Sequence, residues 1–341
     1  MGDLPPDEIR PPLPDPPGVV YTTSSFRVSG RRLLIMRLVI LSRDSTLYST
    51  RRLAAVARGN GHRIRILDPT RCYLSVSTGQ PTVHCHGRPI QGVDGIIPRI
   101  GTSITGYGTS VLRQFEIQHV PVQNTSDAIL RTRNKLHMLQ RLAGSGIPVP
   151  QTGMAFAPED NPDLLKLFPP PPIIIKLIEG SQGLGVVLAE NPEAAESVTE
   201  TLRALMAHFL VQHFVTESRG RDRRLFVIGT EVVASMERTN RDGGFRANLH
   251  RGGQARKIRP TEEEVRLAIR AAHILGLDVA GVDLLETRSG PMVLEVNAAP
   301  GLEGIEQATG VDIASHMIGA LERRIRDPGP PADRIQQPLP S

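Results

Sequence analysis

Two α/β units in tandem, a small open α/β domain and then a larger α+β region, are predicted by three features of the sequence. A strand–helix–strand alternation begins at Arg37; Gly144, Gly146, Pro148 and Pro150 break the chain; strand-rich segments beyond them end in an acid-bearing hairpin. A length of 341 residues has room for two or three separate cores.

Taken in order, residues 1–35 carry Pro5-Pro6, Pro11-Pro12, Pro14 and Pro16-Pro17 with few apolar anchors, which predicts a disordered extension. Met36 opens an apolar strand and reads as the true start, the upstream stretch as a gene-model extension without a signal peptide. In the first unit, residues 36–125, Leu38 to Leu41 is a predicted strand, Leu47 to Arg58 a helix, Ile64 to Leu67 a second strand, and Gly95 to Arg99 a strand closing the sheet near Gly101. The turn Ser42-Arg43-Asp44-Ser45 lacks the glycines of a dinucleotide fingerprint, which excludes NAD binding there. The second unit, residues 126–326, starts with a predicted helix over Ala128 to Ala143. Predicted strands follow over Ile173 to Leu177, Phe209 to Phe214, Arg224 to Val227, Val232 to Glu237, Ala280 to Leu285 and Met292 to Val296, with helices over Pro192 to Met206 and Glu262 to Leu275. Residues 327–341, again Pro-rich, are expected to be a disordered tail.

Composition narrows the function classes. Apolar residues make up 39% and charged residues 22%, as in soluble globular proteins. No apolar run approaches the ~20 residues of a membrane span. Cys72 and Cys85, with no second pair, build neither a disulfide framework nor a four-ligand zinc site, so a cytoplasmic location is expected. The net charge of +5 sits in patches such as Arg31-Arg32 and Arg221 to Arg224, without tryptophan or an aromatic-interleaved basic stripe. That argues against direct nucleic-acid binding and suits an acidic substrate.

The segment Ala280 to Asn297 reads as a hairpin. With Arg288-Ser289-Gly290 as a three-residue loop and Gly290 left-handed, Asp283 stands across from Glu295, and Asn297 joins their face. Val282, Leu284, Met292, Leu294 and Val296 then share the other face. Two such carboxylates repel unless a cation lies between them, and magnesium favours this oxygen set completed by substrate phosphates. The plainer alternative is a half-exposed hairpin whose polar face meets water.

In Ile173-Ile174-Ile175-Lys176-Leu177-Ile178-Glu179-Gly180-Ser181-Gln182-Gly183-Leu184-Gly185, a lysine interrupts an apolar strand and a small-residue loop follows. A buried ammonium calls for an anion, and the glycines let backbone amides approach phosphate oxygens; a sheet-edge lysine before a glycine turn is the alternative. The backbone of Leu210 to Val215 could read an adenine edge or belong to an ordinary core strand. Asp222 could hold ribose hydroxyls or be a surface ion-pair partner. Arg246 and Asn248 lie in a Gly-bounded loop suited to closing over a transferring phosphoryl group, or in a merely solvated basic loop.

Together, the Lys176 strand with its glycine loop, Phe245-Arg246-Ala247-Asn248-Leu249-His250-Arg251-Gly252-Gly253, Ala280-Gly281-Val282-Asp283 and Leu294-Glu295-Val296-Asn297-Ala298-Ala299-Pro300-Gly301 resemble the ATP-grasp superfamily, and within it the RimK-type ligases. The resemblance runs from about Met36 to Arg326, including Leu41-Ser42-Arg43-Asp44 and Pro98-Arg99-Ile100-Gly101-Thr102. It implies an ATP-grasp fold preceded by a pre-ATP-grasp domain, and a ligase that adds L-glutamate to the C-terminal tail of a ribosomal small-subunit protein. It further implies ATP and two Mg2+ or Mn2+ ions as cofactors, and a homo-oligomer. Carried over, Lys135 and Lys176 touch ATP phosphates, His213 and Phe214 meet adenine through their backbone, and Asp222 holds the ribose. Arg246, Ala247 and Asn248 line the phosphate and acyl site, with Arg246 catalytic, and Asp283, Glu295 and Asn297 bind the metals. The family usually has Gln-Glu-Tyr where Gln212-His213-Phe214 stands, and an Asp where Asn134 stands.

The expected mechanism is attack of a substrate carboxylate on the γ-phosphate, giving an acylphosphate that the glutamate amine then opens. Asp283→Asn or Glu295→Gln is expected to abolish ATP turnover and leave the fold intact. An amino-group carrier protein or a glutamyl-accepting coenzyme is the alternative acceptor; an adaptor that merely senses nucleotide or binds RNA is the alternative outside enzymes.

Overall fold

A computed structural model describes residues 26–28, 31–178, 185–240, 244, 245, 247 and 253–327. Two compact units are separated between Ile35 and Met36. Within the first, where disorder was expected, β1 (Phe26–Val28) and β2 (Arg31–Leu33) pair antiparallel; residues 1–25, 29 and 30, like those of the tail from 328, lie outside the described ones.

The second unit begins with the anticipated alternation: β3 (Arg37–Leu41), α1 (Tyr48–Gly59) and β4 (Arg63–Leu67). An antiparallel sheet that the sequence did not announce follows, made of β5 (Cys72–Ser75), β6 (Thr82–Cys85) and β7 (Arg88–Pro89). β8 (Gly95–Pro98) then returns to the first sheet, which is parallel with order β4-β3-β8, so β3 is central and buried on both faces as a parallel strand must be. α2 (Thr105–Ile117) packs on the β5-β6 ribbon, its Gln114 donating to the carbonyls of Ser75 and Thr82.

The helix expected over Ala128 to Ala143 is two helices, α3 (Ser126–Arg133) and α4 (Lys135–Gly144). Asn134 sits between them in extended conformation and caps α4 by accepting from the His137 amide, a local bond that competes with helix continuation. The break sets Lys135 at the first position of α4.

β9 (Thr152–Gly153), α5 (Asn161–Lys166), β10 (Ile173–Leu177), β11 (Val186–Ala189), α6 (Pro192–Ala204) and β12 (Phe209–His213) build an antiparallel sheet of order β11-β10-β12-β9 with helices against it. β13 (Arg221–Ile228), β14 (Glu231–Thr239), β15 (Gln254–Lys257), α7 (Glu262–Ile274), β16 (Val279–Thr287), β17 (Gly290–Asn297), α8 (Glu303–Thr309) and α9 (Ile313–Arg326) complete the chain. Their strands form an antiparallel sheet of order β15-β14-β13-β16-β17. One face, carrying Leu225, Val282, Leu284, Val293 and Val296, buries against Leu267, Ala268 and Ala271 of α7. No described helix is long and apolar enough to cross a membrane.

The β16-β17 hairpin departs from the expected turn. Thr287 pairs with Gly290 across a two-residue connection, Arg288-Ser289, and Gly290 has φ +110°. The register then shifts by one between Leu284, which faces Val293, and Asp283, which faces Glu295. The extra residue is Leu294, so Val293 takes the core place expected of Met292 and Leu294, both only half-buried. The bulge restores the pairing Asp283↔Glu295 and Gly281↔Asn297 that the three-residue loop would have produced.

Candidate functional site

Because directly opposed residues of an antiparallel pair share a face, Asp283 and Glu295 lie side by side on the face turned away from α7. The same register carries the charged row further. Arg224 of β13 is opposite Asp283, and Arg238 of β14 is opposite Asp222. Asp283 takes a bidentate bond from Arg224, Nε to Oδ1 and Nη2 to Oδ2 both at 2.7 Å, while Arg238 Nη2 lies 2.9 Å from Oδ2. Arg238 Nε bonds Asp222 Oδ1 at 2.6 Å. Burial pushes the Asp283 carboxyl up, but the two guanidiniums outweigh it and hold the group below the usual carboxylate range. For Asp222 burial wins over Arg238, and its carboxyl is raised. Arg224 and Arg238, which the sequence reading did not single out, therefore offset part of the repulsion assigned there to metal alone. The tight Ile228-Gly229-Thr230-Glu231 turn points to the β13-β14 pairing, but it is the bulge at Phe226 and Val227, which no local signal gives, that sets Arg238 beside Asp222.

The other side of Glu295 is also basic. Lys176, on central β10 and 9% exposed, carries an ammonium that burial pushes down from its ordinary 10.5 to about 8, with Glu295 opposing the shift and Lys135 adding to it. Lys135 donates to the carbonyls of Leu177, at 3.3 Å, and Ile178, at 2.9 Å, which anchors the start of α4 to the end of β10. Burial lowers its pKa as well, and again Glu295 opposes. Arg133, at the end of α3, is likewise lowered by burial and sustained by Glu295. Thus Lys135, Lys176, Arg133, Arg224 and Arg238 surround Asp222, Asp283 and Glu295. Among the described residues, five cations against three carboxylates leave an excess of positive charge in a poorly solvated place, which suits a polyanion that brings its own metal rather than a lone cation.

The residues present fit a hard divalent ion in that setting. Asn297 Nδ2 is buried without a hydrogen-bond partner on the face of Glu295, and rotating the amide by half a turn would offer its oxygen there instead. Glu295 and Asn297 would hold the ion directly, whereas at Asp283 it must share the carboxylate with two guanidiniums. Among the described residues no three His, Cys, Asp or Glu side chains group together as a metal site.

The remaining expected residues are placed unevenly. His213 ends β12 with its amide donating to the Gln151 carbonyl at 2.9 Å, so only its carbonyl could serve an adenine. Phe214 is buried, with the Arg219 guanidinium 5.8 Å from its ring centre. Asp222 is an ion-pair partner as one of the two alternatives had it, but a buried one rather than one at the surface, because it lies on β13 against Arg238 of β14. Ala247 is buried, while Arg246, Asn248 and the glycine loop from Gly180 to Leu184 lie outside the described residues.

Residues 36–129 match the RimK PreATP-grasp domain and residues 132–321 the RimK-like ATP-grasp domain. Proteins named probable alpha-L-glutamate ligase from Alkalilimnicola ehrlichii and Halorhodospira halophila are 53% and 51% identical, over 85% and 86% of this chain and 97% of each relative. Among solved structures, a RimK domain ATP-grasp protein from Sphaerobacter thermophilus superposes with TM-score 0.63 at 23% identity, covering 84% of this chain and 99% of that one. The ATP-grasp ligase PsnB with its minimal precursor gives TM-score 0.67 at 22% identity, covering 85% and 99%. With the charge layout, the two matched domains and relatives spanning nearly their full length, the chain belongs to the RimK-like ATP-grasp family and is an ATP-dependent ligase.

Proposed function

We propose that this ligase joins the amine of L-glutamate to a carboxylate of an acceptor, the C-terminal tail of a ribosomal small-subunit protein, through an acylphosphate intermediate. The names of relatives about half identical over nearly their whole length support glutamate as the incoming amino acid. One observation of the site carries the nucleotide part: Lys135 and Lys176 converge on Glu295, which stands across from Asp283. The buried ammonium of Lys176 and the half-buried one of Lys135 offset phosphate charge, and the oxygens of Glu295 and Asn297 would hold the accompanying Mg2+ or Mn2+ ions, two in the family pattern. The metal supplies Lewis-acid neutralisation of the phosphates when bound. Arg224 and Arg238 hold the Asp283 carboxylate ionised and fixed. Arg246 is assigned the transferring phosphoryl group from the sequence alone.

Incubation of the chain with ATP, Mg2+, L-glutamate and ribosomal small-subunit proteins is expected to release ADP and to add whole glutamyl residues to one of them, read by intact-mass spectrometry. ADP release with glutamate but no mass increment on any ribosomal protein would reject the acceptor; no ADP release across a panel of amino acids and acceptors would reject the ligation itself.

A further inference from the structure

Two guanidiniums close to the nucleotide cluster, Arg99 and Arg133, form no ion pair among the described residues, although Glu295 acts on Arg133 from a distance. Arg99 follows β8 and donates Nη2 to the Pro300 carbonyl at 2.8 Å; among the described residues it forms no ion pair. It keeps some accessible surface although protein surrounds it, as a group lining a cleft does. Arg133 donates to the Ile100 carbonyl at 2.6 Å and to Thr102 Oγ1 at 3.1 Å, and its Nε is buried with no partner at all. Burial and the mutual repulsion of the pair bring Arg99 down to about 10, so the two charges cost free energy where they stand. Arg43, just beyond β3, reaches toward the same loop and donates to Ser103 Oγ at 3.1 Å.

The place is also the one the topology favours. In the order β4-β3-β8 the chain leaves β3 to one side and returns to its other side, so the crevice at the carboxyl ends of β3 and β8 is the switch point of the sheet. Arg43 and Arg99 are the charged residues that follow those two strand ends. Guanidinium differs from ammonium in offering a planar fork that matches a carboxylate with two parallel bonds.

From this geometry we infer that Arg99 and Arg133, with Arg43 at the rim, form a subsite for a free carboxylate of a ligation substrate. The inference rests on the ligase reading and refines it. The carboxylate belongs either to the incoming amino acid or to the acceptor. In either case the orphan Nε of Arg133 and the fork of Arg99 gain an acceptor that the protein does not supply.

The test is calorimetric and needs no turnover. The full chain, loaded with Mg2+ and a non-hydrolysable ATP analogue, is titrated with L-glutamate, with a tripeptide ending in glutamate, and with the same peptide as its C-terminal amide. Arg99→Met is expected to weaken either L-glutamate or the free-acid peptide about 10- to 100-fold, the range of a hydrogen bond to a charged group. The analogue itself should bind within about twofold of wild type, which also reports an intact fold. Weaker glutamate identifies the amino-acid carboxylate. Loss of preference for the free acid over the amide identifies the acceptor's. Arg99→Lys, which keeps the charge and loses the fork, is expected to fall between the two. Unchanged affinity for both carboxylate probes in Arg99→Met would overturn the subsite, whereas a wild-type chain that fails to bind the analogue would overturn the ligase reading beneath it.

Discussion

At the scale of single residues, the site stores unfavourable electrostatics that its ligand relieves. Lys176 shows the cost most directly. Its ammonium is depressed in the folded chain to about 8 from an ordinary 10.5, a difference worth at most about 3 kcal/mol of destabilisation. The unfolded chain binds more protons between those two values, so the penalty is complete below pH 8 and fades as pH rises toward 10.5. Lys176→Met is therefore expected to raise the unfolding free energy at pH 7, with a gain that shrinks by pH 10, while ATP binding is lost. Urea unfolding at both pH values, with nucleotide titration alongside, reads both; a destabilised variant at pH 7 would contradict the account. Asp283 works in the opposite sense. Its carboxylate neutralises Arg224 and Arg238, so Asp283→Asn leaves buried charge uncompensated and is expected to cost about 3 kcal/mol or more, contrary to the intact fold anticipated from sequence. That contribution belongs to pH values above the usual carboxylate range and disappears as pH falls through the lowered value. Glu295→Gln, half-buried, is the cleaner probe of catalysis. It should lose less stability than Asp283→Asn does, because it is half-buried and makes no direct ion pair with the cations it supports, and it should lose ATP turnover; retained turnover would remove Glu295 from the metal site.

At the scale of elements, what could be read from the sequence was what local rules govern. The alternation of β3, α1 and β4 and the two long helices α6 and α7 follow from periodicity, and the structure has them; the expected facing of Asp283 and Glu295 is there too, but reached through a two-residue turn and a bulge instead of the three-residue loop. The break at Asn134 was missed because the apolar pattern continues through it and only the cap bond to His137 declares it. The bulge at Leu294 and the partnership of Arg238 with Asp222 depend on strand pairing, which one chain's residues do not announce. Asn124 is of the same kind. It is fully buried, donates to the carbonyls of Val279 and Ala298, each at 2.7 Å, and accepts from the amides of Asp278 and Val279. One amide thus clamps both strands of the acid-bearing hairpin at their open end. Asn124→Ala would leave those buried backbone groups unpaired, at on the order of 3 kcal/mol. Denaturant titration should find that loss, and a change under about 0.5 kcal/mol, the level of an ordinary surface substitution, would mean that the clamp is dispensable.

At the scale of the molecule, α9 decides whether residues from Met36 onward behave as one body. Its Ile313, Ala314, Met317, Ile318 and Leu321 are all buried to within 1% of completely. They share a single apolar cluster with Leu38, Ile40 and Ile97 of the parallel sheet and with Phe226, Met236 and Val279 of the antiparallel one. Gly95, at the start of β8, admits α9 so closely that a Cβ there would stand 2.7 Å from Ile325 Cδ1 and 3.3 Å from Leu321 Cδ1. His62 adds a polar tie: its Nδ1 accepts from the Met36 amide, so Nε2 carries the proton and donates to Glu322 at 2.8 Å. Since Arg43 and Arg99 of the proposed carboxylate subsite follow the parallel strands while Lys176, Asp222, Asp283 and Glu295 stand on the other sheets, the active geometry requires this shared core. Leu321→Ala should cost about 2 to 5 kcal/mol, as buried leucine truncations do. Scanning calorimetry should show a single transition shifted as a whole, because removing packing from one cluster weakens both sheets at once. Two resolved transitions, with only one moved by the substitution, would mean that the sheets fold independently and that the subsite and the nucleotide cluster are aligned by something other than α9.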